Sequence, residues 1–439
     1  MRSMTSLRRL GPALSLLCCL GCRSHSDSPV EIEFWAMGRE GEVVQRLLAA
    51  FEQQTPGIHV RVQQIPWSAA HEKLLTAYVG DAMPDLFQLG NTWLPEFVAL
   101  HAIERLDSRV ARASVVQTAD YFPGILDTNV IDGALYGIPW YVDTRLLFYR
   151  TDVLQQAGLA APPATWDAWL DAMIRIKARA GHDHYAILLP ITEWQPPVIL
   201  ALQLDADLLR DHDQYGNFHS PEFRRAFGFY LDLFRQQLTP RDADAQVANL
   251  YQDFANGYFA FYITGPWNIG EFQRRLPAAM SDKWATAPMP GPDAARPGVS
   301  TAGGASLALF RGSRHADAAW QVIEYLSAPA RQIEFYRLTG DLPARKTAWT
   351  ERDLMHDRYT QAFWQQLQHV RSTPKIPEWE RIADQITQYA EAAIRERLDI
   401  DAALTALDAD VDALLEKRRW LLRTTPPAAD ADRAAGTQP

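Results

Sequence analysis

Four tryptophans in this chain sit beside residues that turn the backbone or offer polar groups. They are Asn91-Thr92-Trp93, Pro139-Trp140-Tyr141, Thr192-Glu193-Trp194 and Gly265-Pro266-Trp267. A tryptophan flanked in this way can present a flat apolar face where the chain bends, instead of disappearing into a core. Carboxylates, amides and guanidinium groups near such plates can meet hydroxyls at the edge of a flat ring. The parts together suit a flat, hydroxylated, uncharged ligand, which is the chemistry of a sugar ring. Fourteen tryptophans are present in all, so some must also be core.

Trp267 is the leading plate, because Gly265-Pro266 bends the chain and aims the ring. Trp379 is read the same way, with Trp67, Trp140 and Trp194 as further plates. Tyr141 and Asp143 lie two residues apart, which in a strand puts both on one face. Glu40 could accept two hydroxyl donors at once, or be a first-turn acid favoured by the helix dipole. Arg345 offers a fork of donors, or forms a salt bridge. Asn91 is a donor and acceptor at a strand end. Gly303-Gly304 leaves bare backbone for close approach, or marks a tight turn.

Other chemistries are poorly represented. His71-Glu72 lacks the second histidine of a zinc helix. Gly298-Val299-Ser300-Thr301-Ala302 lacks the closing glycine of a nucleophile elbow. His182-Asp183-His184 reads as a solvated loop more readily than as a metal site. No phosphate loop or dinucleotide fingerprint is found, so no cofactor is expected. A secreted glycoside hydrolase would need a carboxylate pair. Glu40, Asp143, Glu378 and Glu380 are available, but no spacing singles two of them out. A binder of a non-sugar solute, such as a glycerol-phosphodiester or a peptide, is a further alternative. The formal charge of −10 argues against nucleic acid.

All three cysteines, Cys18, Cys19 and Cys22, fall in the first 22 residues. They follow Arg2, Arg8 and Arg9 and a short apolar run from Leu10 to Leu20. That run is too short to span a bilayer and reads as a signal-peptide core over residues 1–21. Gly21-Cys22 resembles a lipoprotein cleavage site, with the lipid on Cys22; Cys19 stands where such sites usually carry leucine. Export to the periplasm is expected, with membrane contact only through the lipid.

The elements that must position these residues begin with strand–helix–strand–helix–strand: 30–35, 41–53, 58–65, 69–79 and 85–89. That alternation belongs to a parallel α/β sheet, whose ligands gather at the carboxyl ends of strands. Those ends carry Glu40, Trp67 and Asn91. Thr165-Trp166 opens a helix ended by Gly181, and Ser220-Pro221-Glu222 opens another. Strands are expected at 259–263 and 306–310, and helices at 316–326, 329–337 and 382–419. Residues 424–439 read as a disordered tail.

The segment Leu135 to Leu154, LYGIPWYVDTRLLFYRTDVL, resembles the interlobe crossover of the maltose-binding-protein-like solute-binding proteins of ABC importers (extracellular solute-binding proteins, family 1). Further matches follow in that family's order. They are Thr165-Trp166-Asp167, Gly257 to Trp267, Gly303 to Leu309 with Ala318-Ala319-Trp320, Thr339 to Arg345, and Pro377-Glu378-Trp379. The resemblance covers nearly all of residues 30–420. It departs from the family at Gly90, where close relatives have an acid, and at Ala305, where a tryptophan is expected.

The resemblance implies a type II periplasmic-binding-protein fold of two α/β lobes joined by three crossovers near Tyr141–Thr144, Ala285–Pro288 and Ser327–Arg331. Lobe one would be residues 30–142 plus 287–328, and lobe two 143–286 plus 329–420. It implies a monomer without a catalytic step that delivers a sugar to permease subunits in the inner membrane. Glu40, Tyr141, Asp143 and Arg345 fall where relatives that bind maltose or trehalose contact those sugars.

Overall fold

The computed structural model describes residues 29–241, 249–350 and 354–424. The expected leader, Cys22 and all of the expected tail except Thr424 lie outside the described residues. Among the described residues no helix is long and apolar enough to cross a membrane.

Strand Val30–Met37 alternates its side chains between two cores. Ile32, Phe34 and Ala36 join one, and Trp35 and Met37 the other. Burial on both faces is the signature of a sheet covered by helices on each side. This strand runs parallel to Ile58–Ile65 over its whole length, and parallel to Leu86–Gly90 on its other edge. Strand Gly304–Leu309 then enters antiparallel between Leu86–Gly90 and Ile138–Val142. The sheet is therefore mixed, where the sequence pattern suggests parallel strands. Its order is 342–343, 138–142, 304–309, 86–90, 30–37, 58–65.

A second, four-stranded sheet has the order 284–287, 146–150, 261–264, 187–188. Strand Leu146–Arg150 is antiparallel to both neighbours, and Phe261–Thr264 is parallel to Ile187–Leu188. Helices Trp166–Ala180, Pro221–Arg235, Trp379–Ile394 and Ile400–Leu414 bury their apolar faces in this lobe's core. Their starts follow local chemistry. Thr165 Oγ1 accepts from the Ala168 N–H at 3.3 Å, and Ser220 Oγ from the Phe223 N–H at 3.4 Å. Gly181 ends the first of them at φ +85°.

The expected third crossover at Ser327–Arg331 needs correction. Ala328-Pro329 is a corner between two helices of one lobe, Ala316–Ser327 and Pro329–Thr339. The second of these packs on helix Gly38–Gln54, and Leu342-Pro343 pairs with Val142 and Tyr141. Residues 329–343 therefore belong with the first sheet. The chain reaches the second sheet only later, where helix Gln361–Gln366 packs on strands 284–287 and 146–150. The helical stretch expected over 382–419 forms as three helices, Trp379–Ile394, Ile400–Leu414 and Glu416–Thr424.

Candidate ligand-binding cleft

A cavity of about 510 Å³ opens between the two sheets. The carboxyl ends of the first three strands supply Glu40, Trp67 and Asn91 to its wall, as the α/β pattern predicts. Tyr141 and Asp143 enter from the crossover, with Gly303 and Gly304 beside them. The second lobe contributes Trp194, Trp267 and Arg145.

Glu40 is nearly buried and held by two donors. The Tyr141 hydroxyl donates to its Oε1 at 2.8 Å, and the Trp67 indole N–H donates to the same oxygen at 3.3 Å. Gln88 Nε2 in turn donates to the Tyr141 oxygen at 2.9 Å, while Gln88 Oε1 accepts the Met37 N–H at 2.7 Å. Burial pushes the Glu40 carboxyl above its usual range despite these bonds, and pushes the Tyr141 phenol well up. Asp341 also lines the cavity, and its backbone N–H donates to Thr339 Oγ1 at 3.0 Å. Burial, with the nearby Glu40 charge, raises Asp341 well above the carboxylate range.

Arg145 is the organising cation of the opposite wall. Its guanidinium lies 4.6 Å from the centre of the Trp267 ring. It stands 3.5 Å from Asp143 and 3.7 Å from Glu193. Burial raises both acids, and the Arg145 charge opposes that rise. Asn91 faces the cavity with its amide already engaged, Nδ2 donating to the Ala302 carbonyl at 2.8 Å. Gly303 and Gly304 are glycine because the crossover strand presses on them. A Cβ at either would lie 2.0 Å from the Asp143 carbonyl oxygen or 2.3 Å from that of Tyr141.

Trp67 is 38 % exposed and meets Trp93 edge-on at 5.7 Å; Trp93 also lines the cavity. Trp140 is core, packed on Phe335 at 4.4 Å.

With Trp140, two more expected site residues are not brought to the cavity. Trp379 is 0 % exposed, at the start of a helix in the second core, where it braces Trp194 edge-on at 5.3 Å. Arg345 is 4 % exposed, and its guanidinium is engaged away from the cavity. Nε donates to Asp120 Oδ2 at 2.6 Å, and Nη1 donates to the Val115 and Ser327 carbonyls at 2.8 and 3.1 Å.

Sequence reasoning missed Arg145 and Asp341 as lining residues, while Trp93, one of the turn-flanked tryptophans, and Glu380, one of the available carboxylates, also face the cavity without having been singled out for the site. Arg145 continues the two-residue series of Tyr141 and Asp143. Asp341 lies in the very turn singled out for Arg345. Glu380 is next to Trp379, on the adjoining face of the same helix. Among the described residues no three His, Cys, Asp or Glu side chains come together as metal ligands.

The chain's residues 37–333 match the model of the bacterial extracellular solute-binding protein family. Its structure is similar to that of the sugar-binding protein MalE from the phytopathogen Xanthomonas citri. The two share 50 % identity at a TM-score of 0.86, over 90 % of this chain and 100 % of that one. The chain is 27 % identical to a putative binding protein of Brucella abortus over 86 % of its length and 91 % of the relative's. It is 25 % identical to the diacetylchitobiose binding protein DasA of Streptomyces coelicolor, over 80 % of this chain and 82 % of that one. The matched span, the two sheets and the cleft between them agree: the chain belongs to the bacterial extracellular solute-binding proteins, a family of binding proteins rather than enzymes, with two-lobed MalE-type sugar-binding proteins as its structural neighbours.

Proposed function

We propose that this protein captures a neutral carbohydrate in the cleft and delivers it to the permease of an ABC importer, with a glucose disaccharide such as maltose or trehalose as the ligand. The observation that carries the proposal is the make-up of the cavity wall. Trp67, Trp93, Trp194 and Trp267 supply aromatic faces around Glu40, Asp143 and Arg145. Sugar rings stack their C–H faces on such plates while carboxylates accept their hydroxyls. The volume of about 510 Å³ lies within the range of small-molecule sites.

The charges support the neutral ligand. The carboxylates Glu40, Asp143, Glu271, Asp341 and Glu380 line the cavity against the cations Arg39 and Arg145. A phosphodiester or other anion entering this wall would meet unfavourable charge. Relatives named as binding proteins for sugars in Xanthomonas citri and for diacetylchitobiose in Streptomyces coelicolor agree with a carbohydrate.

In this reading Trp267 is the main plate, Glu40 and Asp143 accept hydroxyls, and Arg145 donates. The lobes close by hinge motion about the segments joining the sheets. Export follows from the leader, with a lipid at Cys22 holding a monomer at the membrane surface. The test is calorimetric titration with maltose, trehalose, sucrose and a maltodextrin, with the same mixtures assayed for cleavage. One-to-one binding of an intact disaccharide supports the proposal. Cleavage would replace it with a hydrolase, and silence with all four sugars would remove the glucose-disaccharide assignment.

A further inference from the structure

The last described helix, Glu416–Thr424, presents an apolar surface that the sugar cleft does not use. Trp420 is 56 % and Leu421 44 % exposed, and Leu422 beside them is half exposed. Among the described residues Trp420 stacks on no other ring, and Lys417 and Arg423 form no ion pair. Lys417, Trp420 and Arg423 are spaced three apart and so share one stripe of the helix, with Leu421 adjoining Lys417 one turn on. The stripe is apolar at its centre and basic on both flanks.

The opposite side of the helix is tied down. Arg419 donates to the Gln214 carbonyl at 2.8 Å and the Asp412 carbonyl at 2.7 Å, and its guanidinium lies 4.6 Å from the Tyr215 ring. Arg418 stands 3.8 Å from Glu378. Leu415, just before the helix, is fully buried in the second lobe's core. The stripe is therefore held outward in a fixed orientation by its own neighbours. Among the described residues Trp420, Leu421 and Leu422 form a run of exposed large apolar side chains, the kind of patch that marks an interaction surface.

The charge pattern identifies the occupant. The whole chain carries a formal −10, so it is repelled on average by an anionic surface. This nine-residue helix reverses the sign, with Lys417, Arg418, Arg419 and Arg423 against Glu416. A tryptophan between two cations matches the headgroup layer of a bilayer. There the indole ring sits at the water–lipid boundary while lysine and arginine reach lipid phosphates.

We propose that helix Glu416–Thr424 is a peripheral membrane contact. It lays Trp420 and Leu421 into the headgroup region of an anionic lipid surface, with Lys417 and Arg423 against the phosphates. The contact is shallow and reversible, and it orients the second lobe relative to the membrane. It depends neither on the sugar assignment nor on a lipid at Cys22.

The test is vesicle flotation of the chain made from residue 23 to its end, which keeps every described residue and carries no acyl group. Probes are vesicles of phosphatidylcholine with phosphatidylglycerol, and of phosphatidylcholine alone. Binding to the anionic vesicles is expected, weakening as salt is raised. Lys417→Glu and Arg423→Glu should each lower the partition coefficient by about fivefold or more, the worth of one basic residue at such a surface. Trp420→Ala should lower it as well, with an unchanged melting temperature in all three variants as the control for folding. No flotation with anionic vesicles at low salt would overturn the proposal. So would flotation that the three substitutions leave intact. Sedimentation showing a dimer that Trp420→Ala abolishes, without vesicle binding, would assign the stripe to a second copy instead.

Discussion

The guanidinium of Arg145 lies 4.6 Å from the centre of the Trp267 ring, so one wall of the cleft is a cation resting on an aromatic plate. Arg145 comes from the short crossover segment between strands Ile138–Val142 and Leu146–Arg150, and Trp267 from the first turn of helix Trp267–Arg275. A sugar that stacks on Trp267 must share its face with Arg145 or slide beside it. Trp267→Ala should weaken disaccharide binding by more than about 1 kcal/mol, the loss of a buried aromatic contact. Calorimetry of the variant checks this, and an unchanged affinity removes Trp267 from the site.

The same cation neutralises two acids. Arg145→Met leaves Asp143 and Glu193 facing each other without their shared counter-charge. A fall in folding stability of about 1–3 kcal/mol is expected from that uncompensated charge. Chemical denaturation at neutral pH measures it. The fall should shrink in acid, where the two carboxyls accept protons.

Tyr141→Phe tests the opposite wall. It removes the 2.8 Å donor to Glu40 and leaves Gln88 Nε2 without its acceptor. Weaker sugar binding is expected, with a loss of about 1–3 kcal/mol in stability from the unpaired buried groups. Since Tyr141 and Glu40 act as one unit, Glu40→Gln combined with Tyr141→Phe should cost less than the two single changes together. Full additivity in a double-mutant cycle would show that the bond between them contributes nothing.

Arg345→Met separates a structural arginine from a ligand-binding one. Its partner Asp120 stays largely buried, and the Val115 and Ser327 carbonyls lose a donor. Stability should drop by about 3 kcal/mol. Sugar affinity of the folded variant should stay within about twofold, because Arg345 does not reach the cavity. A selective loss of affinity at unchanged stability would return Arg345 to the site.

Burial raises both Glu40 and Asp341, so the folded protein holds protons there that the unfolded chain releases. Such groups favour folding below the ordinary carboxylate value near 4, and that stability is lost as pH rises from there through their raised values. Asp341→Asn removes one titrating group and the repulsion on Glu40. The variant should gain melting temperature relative to the parent at pH 8, and gain less or none at pH 4. Parallel melting curves at all pH values would show that Asp341 carries no such linkage.

The period-two alternation of Val30–Met37 and the helical spacing of Val43, Val44, Leu47, Leu48 and Phe51 announce a strand and helix of an α/β sheet, and both form. Thr165 and Ser220 mark helix starts by side-chain chemistry that needs only local sequence. The antiparallel insertion of Gly304–Leu309 is not legible in the same way, because pairing direction depends on where the chain returns from. The corner at Ala328-Pro329 misled for a related reason. Proline stops a helix, but it does not say which lobe the next helix joins.

An α/β chain with turn-flanked tryptophans, strand-end acids and an ordered series of family motifs is legible in the residues alone. Which of those side chains face the cleft is set by how the folded chain packs. Asp341 and Arg345 lie four residues apart in one turn, yet the acid lines the cavity and the arginine is withdrawn from it. Trp194 and Trp379 touch each other, yet only Trp194 reaches the ligand space. The direction of each is set by partners far along the chain, such as Asp120, 225 residues before the arginine it binds. A buried charge turns toward whatever can neutralise it, and the fold alone brings that partner near.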